Sequence, residues 1–322
     1  MCLLLTVALL YLGSGVMLIL LALPFVLAFA IAFCGYAAGG AVAVVGLAAG
    51  LIFHPTLPFV AAAVFLPPAI AAAYVIRSKK RMRIGVMISV AAALAGLALG
   101  IFILTQMTGE GIVDYIVGYL GDALRVMPDA QIKMTYELSR AADVLSGAVT
   151  SEALAAATAA EAVAWLQSMM HDFLQLFLVV IIAVYSMLLG FLSFVIGRAA
   201  CKKRGMDVVK IPPVSEYTLP RRLWLAAVVL VVFAYIGADA GWQAFDILAI
   251  TLYYIFMVIF IGQAVVLLDY LMKQRNMGKG VRVLLHVIAV ILVGTLILPY
   301  VGLAENALGI RRRISARKAG NA

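Results

Sequence analysis

Leu3–Leu23 reads LLLTVALLYLGSGVMLILLAL, and the run it opens extends to Ile76 without one Asp, Glu, Lys or Arg; Arg77 is the first charged side chain. An ionised group at the centre of a bilayer costs about 2.5–3.5 kcal/mol even on the mildest scale, so charge missing over several helix lengths is what hydrocarbon selects. A span needs about 20 apolar residues rising about 1.5 Å each. Leu3–Leu23 fits one. No basic n-region precedes it and no small-residue cleavage site ends it, so it reads as a retained span and not a signal peptide.

From Pro24 to Ile76 the sequence holds too much for two spans and too little for three full ones. Breakers stand at Pro24, Gly39-Gly40, Gly46, Gly50, Pro55, Pro58 and Pro67-Pro68. The pattern predicts two short helices, about 24–36 and 38–53, and a longer one over about 58–76. Interrupted backbone at membrane depth is tolerated where it is buried in protein or lines a cavity. The break at His54, Pro55 and Pro58 is therefore the first candidate ligand pocket. Residues 84–106 form a clean fifth span. Gly46-xxx-Gly50 and Gly96-xxx-Gly100 are close-packing stripes, expected to join helices within this chain.

The whole chain agrees. It is 66% hydrophobic and 12% charged, with mean hydropathy +1.13, where a soluble domain carries about 25% charge. Cys2, Cys34 and Cys201 form no spaced pair, which argues against a disulfide framework or a zinc site.

The net charge of +9 is unevenly placed. Basic residues crowd Arg77–Arg83, Arg198–Arg222 and Lys273–Arg282, whereas nine acids face three bases between Thr108 and Asp172. Short Lys/Arg-rich loops stay cytoplasmic, so the basic loops are expected inside and the acidic segment outside. Basic loops this short between apolar spans do not suit nucleic acid.

Residues 107–168 mix acids, Gly and Pro128 with apolar residues at helical spacing. Ile112, Tyr115, Ile116 and Tyr119 share one face, as do Met134, Leu138, Ala141 and Leu145. Amphipathic helices on the outer surface are expected. Thr150 is the expected N-cap of an Ala-rich helix running into a sixth span over about 173–196. Pro212, Pro213 and Pro220 stop any helix before span seven, about 223–236. Span eight covers about 244–271 and span nine about 283–298.

Nine full crossings put the C-terminus outside, yet Arg311, Arg312, Arg313, Arg317 and Lys318 argue for inside. The last segment is either a re-entrant hairpin bending near Gly294 or Pro299, or a helix along the outer surface. Nine crossings are the expectation adopted.

Pro212-Pro213-Val214-Ser215-Glu216-Tyr217-Thr218-Leu219-Pro220 resembles the PP-F-SEW-x-x-P segment of the YybS-like family of bacterial multi-pass membrane proteins. Val214 and Tyr217 depart from its aromatics. Gly262-Gln263-Ala264 falls where that family has a Gln-Gly-like step. Gly302-Leu303-Ala304-Glu305 followed by Arg311-Arg312 resembles its closing G-L-x-D … D-F-R-K, with Glu305 for the first acid and Gly309 for the second. The N-terminal half is in turn similar to the substrate-binding S-components of energy-coupling-factor transporters. Ala8, Gly13 and Gly15 in span one do not make the small-xxx-small stripe with which S-components dock their coupling module. The resemblance implies a bacterial cytoplasmic membrane protein that binds a small ligand.

The residues offer little catalytic chemistry. His54, His171 and His286 are scattered, and no HExxH, GxSxG or phosphate loop occurs. Asp246 and Asp269 would lie roughly 35 Å apart on one helix, too far to act together. Both are expected to reach interfacial water. Gln263 is either interhelical glue or a ligand contact, and Tyr253, Tyr254 and Phe256 either line a pocket or pack. Glu305 is expected to pair with an Arg at a helix end.

The sequence therefore predicts an all-α polytopic transmembrane bundle of eight or nine spans, divided as 1–106, an extracytoplasmic helical insert over 107–168, membrane helices over 169–310 and a basic tail over 311–322. The expected role is non-enzymatic and transporter-like, with the bilayer as partner, a small weakly polar ligand, and no cofactor, catalytic residue or metal site. Pocket candidates are His54, Pro55, Pro58, Gln263, Tyr253 and Asp269. A membrane scaffold that docks a protein through the insert and the Pro-rich loop is the alternative.

Overall fold

The structure is a computed structural model that describes residues 22–52, 57–141, 143, 148–150, 156–210, 214–294 and 296–320, with Cys2, Thr6, Leu9 and Leu20. Every regular element among the described residues is helical. Helices α3 (Leu57–Arg77), α4 (Met82–Thr108), α7 (Ala159–Lys203) and α9 (Gln243–Gln274) contain stretches long and apolar enough to cross a membrane. Most of span one, with Ala8, Gly13 and Gly15, lies outside the described residues, as do His54, Pro55, Leu145, Pro212 and Pro213.

The chain forms two compact units, one of Met1–Lys79, Arg83–Leu178 and Ser186–Asp207, the other of Lys80–Met82, Val179–Tyr185 and Val208–Ala322.

In the first unit α1 (Leu23–Cys34) opens with Pro24 in its first turn, where the missing N–H costs nothing. It ends at Gly35, whose φ of 97° admits glycine and penalises a side chain. Helix α2 (Tyr36–Gly50) starts directly after it. At about 1.5 Å per residue these helices reach roughly 18 and 22 Å, short of the ~30 Å hydrocarbon core. Arg77, the first charge in the chain, donates to the Ala32 carbonyl at 3.3 Å and lies over the Tyr36 ring.

Small residues set the packing. A Cβ on Gly96 would sit 2.9 Å from the Ala63 and Val64 carbonyl oxygens, and one on Gly100 would strike Val64, so this stripe seats α4 on α3 as expected. A Cβ on Gly190 of α7 would come closer still, 2.6 Å from the Ser89–Val90 backbone of α4. Pro67 and Pro68 stand inside α3, with Pro68 buried.

The insert carries helices α5 (Ile112–Arg125) and α6 (Asp129–Ser139). Its faces differ from the expected ones. Tyr119, Met134 and Leu138 are exposed, while Ile132 and Tyr136 are buried against Ala162 and Val163 of α7. Tyr136 meets Trp165 edge-on, and Arg140 spans both rings while bonding the Tyr136 hydroxyl and Asp143. Both faces of α6 carry apolar residues, so spacing alone selects neither. The N-cap of α7 is Thr158 and not Thr150: the Thr158 hydroxyl accepts from Glu161 N–H and the Glu161 carboxylate accepts from Thr158 N–H, a complete capping box. The run expected from Ser151 is interrupted at Ala157–Thr158, and only from Ala159 does it continue unbroken into span six, since α7 has 45 residues. At roughly 68 Å it is over twice as long as a hydrocarbon core is thick.

In the second unit α8 (Leu223–Asp239) and α9 form a hairpin through Gly241. Helix α10 (Lys279–Val293) runs back along α9. Arg282 pairs with Asp269 at 3.0 Å, and the His286 ring bonds the Val265 carbonyl at 3.2 Å. The chain then reverses. In α11 (Leu298–Leu308) Gly302 lies on the Phe260 carbonyl, and beyond it Ser315 of α12 (Ile310–Gly320) bonds the Tyr270 hydroxyl at 2.7 Å. Residue numbers fall along α9 against α10 and rise against α11–α12, so the last two helices run parallel to α9. Where a ninth span was expected, the chain turns back between Val293 and Leu298. Gly294 sits within this break and Pro299 opens α11.

Candidate functional site

The turn-back places Glu305 and Arg311 together. Helix α11 ends at Gly309, whose φ of 62° caps it in the left-handed conformation, and α12 starts one residue later. This sharp corner lets Arg311 reach back. Its Nε donates to Glu305 Oε1 at 2.7 Å and its backbone N–H to Oε2 at 3.2 Å. The guanidinium also donates to the carbonyls of Ser215 and Tyr217 at 3.0 and 2.9 Å. Both side chains are under a tenth exposed. The expected pairing of Glu305 with an Arg at a helix end is therefore present, and the same Arg holds the Pro-rich loop.

Asn306 adds a second clamp on that loop. Its carboxamide donates to the Pro220 carbonyl at 3.1 Å and accepts from Trp224 N–H at 3.0 Å. Ser215, Pro220, Glu305 and Arg311, scattered over nearly a hundred residues, are thus one structural cluster, while Gly302 packs on Phe260 of α9. Glu216 beside them is exposed. Asn306 escaped sequence reasoning, although a carboxamide within an apolar helix is a signal that a buried partner exists.

Two cavities flank the cluster. A polar cleft of about 540 Å³ is bordered by Gln263 and Tyr270 of α9, by Glu216 and Arg221 of the loop, and by Arg312 and Arg313. Gln263 is 5% exposed and makes no hydrogen bond among the described residues, so its amide is available to the cleft. An apolar groove of about 220 Å³ lies between α8, α9 and α11, lined by residues including Val228, Val232, Tyr253, Phe260, Tyr300 and Leu303. Tyr253 and Tyr300 both line it.

Asp269 is buried and paired with Arg282, where a water-reaching position was expected; Asp246 is exposed. Pro58 is buried in the first turn of α3. Gln263 and Tyr253 lie on α9, in a different unit from Pro58. Among the described residues no group of three or more His, Cys, Asp or Glu side chains stands close enough to hold a metal.

A family model described as predicted membrane protein (DUF2232) matches residues 1–304. The chain belongs to that family. The DUF2232 match runs through every helix long enough to span and ends one residue before Glu305. No curated protein and no solved structure matches the chain.

Proposed function

We propose that the protein is a non-enzymatic, transporter-like membrane protein that binds a small ligand between α8, α9 and the α10–α11 hairpin. One observation carries this reading: between α10 and α11 the chain turns back against the apolar helix α9, beside an apolar groove that is followed along α9 by a polar cleft. Irregular backbone at membrane depth suits protein-buried or cavity-lining positions, and transporters build binding sites from such broken helices. The resemblance to the YybS-like family and to S-components supports the same reading. His54 and Pro55 of the early-helix break lie outside the described residues, and the groove and cleft that support this reading lie in the second unit.

The charge rule sets the orientation. With the hairpin in place of a ninth span, the loops at 77–83, 198–222 and 273–282 and the tail from Arg311 all lie on the cytoplasmic side of a bacterial inner membrane, and 107–168 lies outside. The conflict over the C-terminus then disappears.

Thermal-shift screening of purified protein against vitamins, nucleosides and lipids tests the reading. A stabilising ligand whose effect is lost in Tyr253→Ala supports it; a screen in which nothing stabilises the protein removes it.

A scaffold role is the second reading, favoured by the exposed apolar residues Tyr119, Val126, Met134 and Leu138 on the insert. Cross-linking at Leu138 separates the two: a stoichiometric protein partner there supports a scaffold.

A further inference from the structure

The groove and the cleft follow one another along the same face of α9. Tyr253, Phe256 and Phe260 line the groove, and Gln263 and Tyr270 line the cleft. Their spacing of three, four and seven keeps them on one stripe of a helix. On α11 the same change occurs between Leu303 and Glu305. The track is therefore apolar at one end and polar at the other.

Its charge is one-sided. Glu305 and Arg311 neutralise each other, which leaves Arg221, Arg312 and Arg313 against Glu216 on the cleft wall. Among the described residues these three arginines make no hydrogen bond through their side chains, and all are exposed. Guanidinium groups match phosphate oxygens in geometry and charge. The Gln263 amide and the Tyr270 and Ser315 hydroxyls add neutral hydrogen-bonding groups.

The dimensions fit one lipid. Phe256 to Tyr270 covers roughly 21 Å of helix at 1.5 Å per residue. One leaflet with its headgroups measures about 20–22 Å, half of a bilayer. Val228, Val232 and Tyr300 on the groove wall are exposed, so a hydrocarbon chain can enter sideways from the membrane.

We propose that this track binds one anionic membrane lipid, with its phosphate headgroup on Arg221, Arg312 and Arg313 and one hydrocarbon chain in the groove beside Val232 and Phe260. The proposal rests on the ligand-binding reading of this site and names the ligand class.

The test uses the full chain in neutral detergent. Native mass spectrometry and thermal shift are read with phosphatidylglycerol, with phosphatidylcholine, and with soluble glycerol phosphate. Phosphatidylglycerol is expected to be retained at one molecule per chain and to raise the melting temperature more than phosphatidylcholine does. The combined variant Arg221→Gln, Arg312→Gln, Arg313→Gln is expected to weaken phosphatidylglycerol roughly 100-fold, given the usual contribution of each basic residue near an anionic headgroup. Val232→Trp, at an exposed position, fills the groove and is expected to abolish retention while the protein stays folded.

Equal retention of the two lipids overturns the proposal. So does undiminished phosphatidylglycerol binding by the arginine variant, or glycerol phosphate protecting as well as the lipid, which would assign the cleft to a soluble anion. If the lipids show no preference but a vitamin or nucleoside stabilises the protein through Tyr253, the lipid assignment fails and the small-molecule reading stands.

Discussion

Arg311 and Glu305 form a buried ion pair across a helix corner, and the same guanidinium carries the carbonyls of Ser215 and Tyr217. Breaking a buried pair leaves an uncompensated charge, which costs about 3–5 kcal/mol, whereas replacing both partners by apolar residues is often neutral. Glu305→Leu alone and Arg311→Met alone should each lower the melting temperature sharply, and the double variant should recover part of the loss, since the carbonyls of Ser215 and Tyr217 still lose their donor. Thermal unfolding of the three proteins in detergent checks this. Single variants that melt with the parent would show that the pair holds nothing.

Gly302, packed on α9, and Gly262, exposed on α9, offer a contrast. A Cβ on Gly302 meets the Phe260 carbonyl, while nothing lies within 4 Å of one on Gly262. Gly302→Ala should destabilise by about 1–3 kcal/mol through overpacking. Gly262→Ala should be neutral or slightly stabilising, because it removes backbone freedom from the unfolded chain. Equal losses from the two substitutions would mean that α11 does not pack on α9 at this register.

In the insert, Tyr136 and Met134 lie on opposite faces of α6. Tyr136→Ala should cost about 3–5 kcal/mol, as aromatic truncation in a core does, and open the segment to protease. Met134→Ala and Leu138→Ala should stay within about 0.5 kcal/mol of the parent. Limited proteolysis followed by mass mapping distinguishes them; the reverse order would restore the face first read from spacing.

The capping box gives a smaller effect. Thr158→Ala should cost about 1 kcal/mol, seen as faster amide exchange over the first turn of α7.

The sequence displayed much of this architecture. Charge-free runs and Pro24 delimit the early helices within a few residues, because helix breakers and hydrocarbon both act locally, whereas Gly39-Gly40, Gly46 and Pro67-Pro68, read as breakers, stand inside α2 and α3, and the break falls at Gly35. Gly96 and Gly100 announced a close helix contact for the same reason. The faces of the insert were not legible, since α6 carries apolar residues on both sides and only the position of Val163 and Trp165 on α7 chooses between them. The hairpin was legible only as an alternative to a ninth span over about 283–298, because the reversal depends on Gly302 finding the backbone of Phe260 and on Arg311 finding Ser215, contacts separated by 42 and 96 residues. The pairing of Glu305 with an Arg was visible; that the same Arg fastens the Pro-rich loop was not.

The direction of the last helices carries the account, because the groove, the cleft and the neutralised Glu305 all depend on the chain turning back. Single cysteines at Lys279→Cys and Ala316→Cys, in a protein with Cys2, Cys34 and Cys201 replaced by alanine, can be labelled with a membrane-impermeant maleimide in intact cells and in inverted vesicles. With the chain turned back, both react in inverted vesicles and neither in intact cells. Labelling of residue 316 in intact cells, with residue 279 protected there, would contradict it.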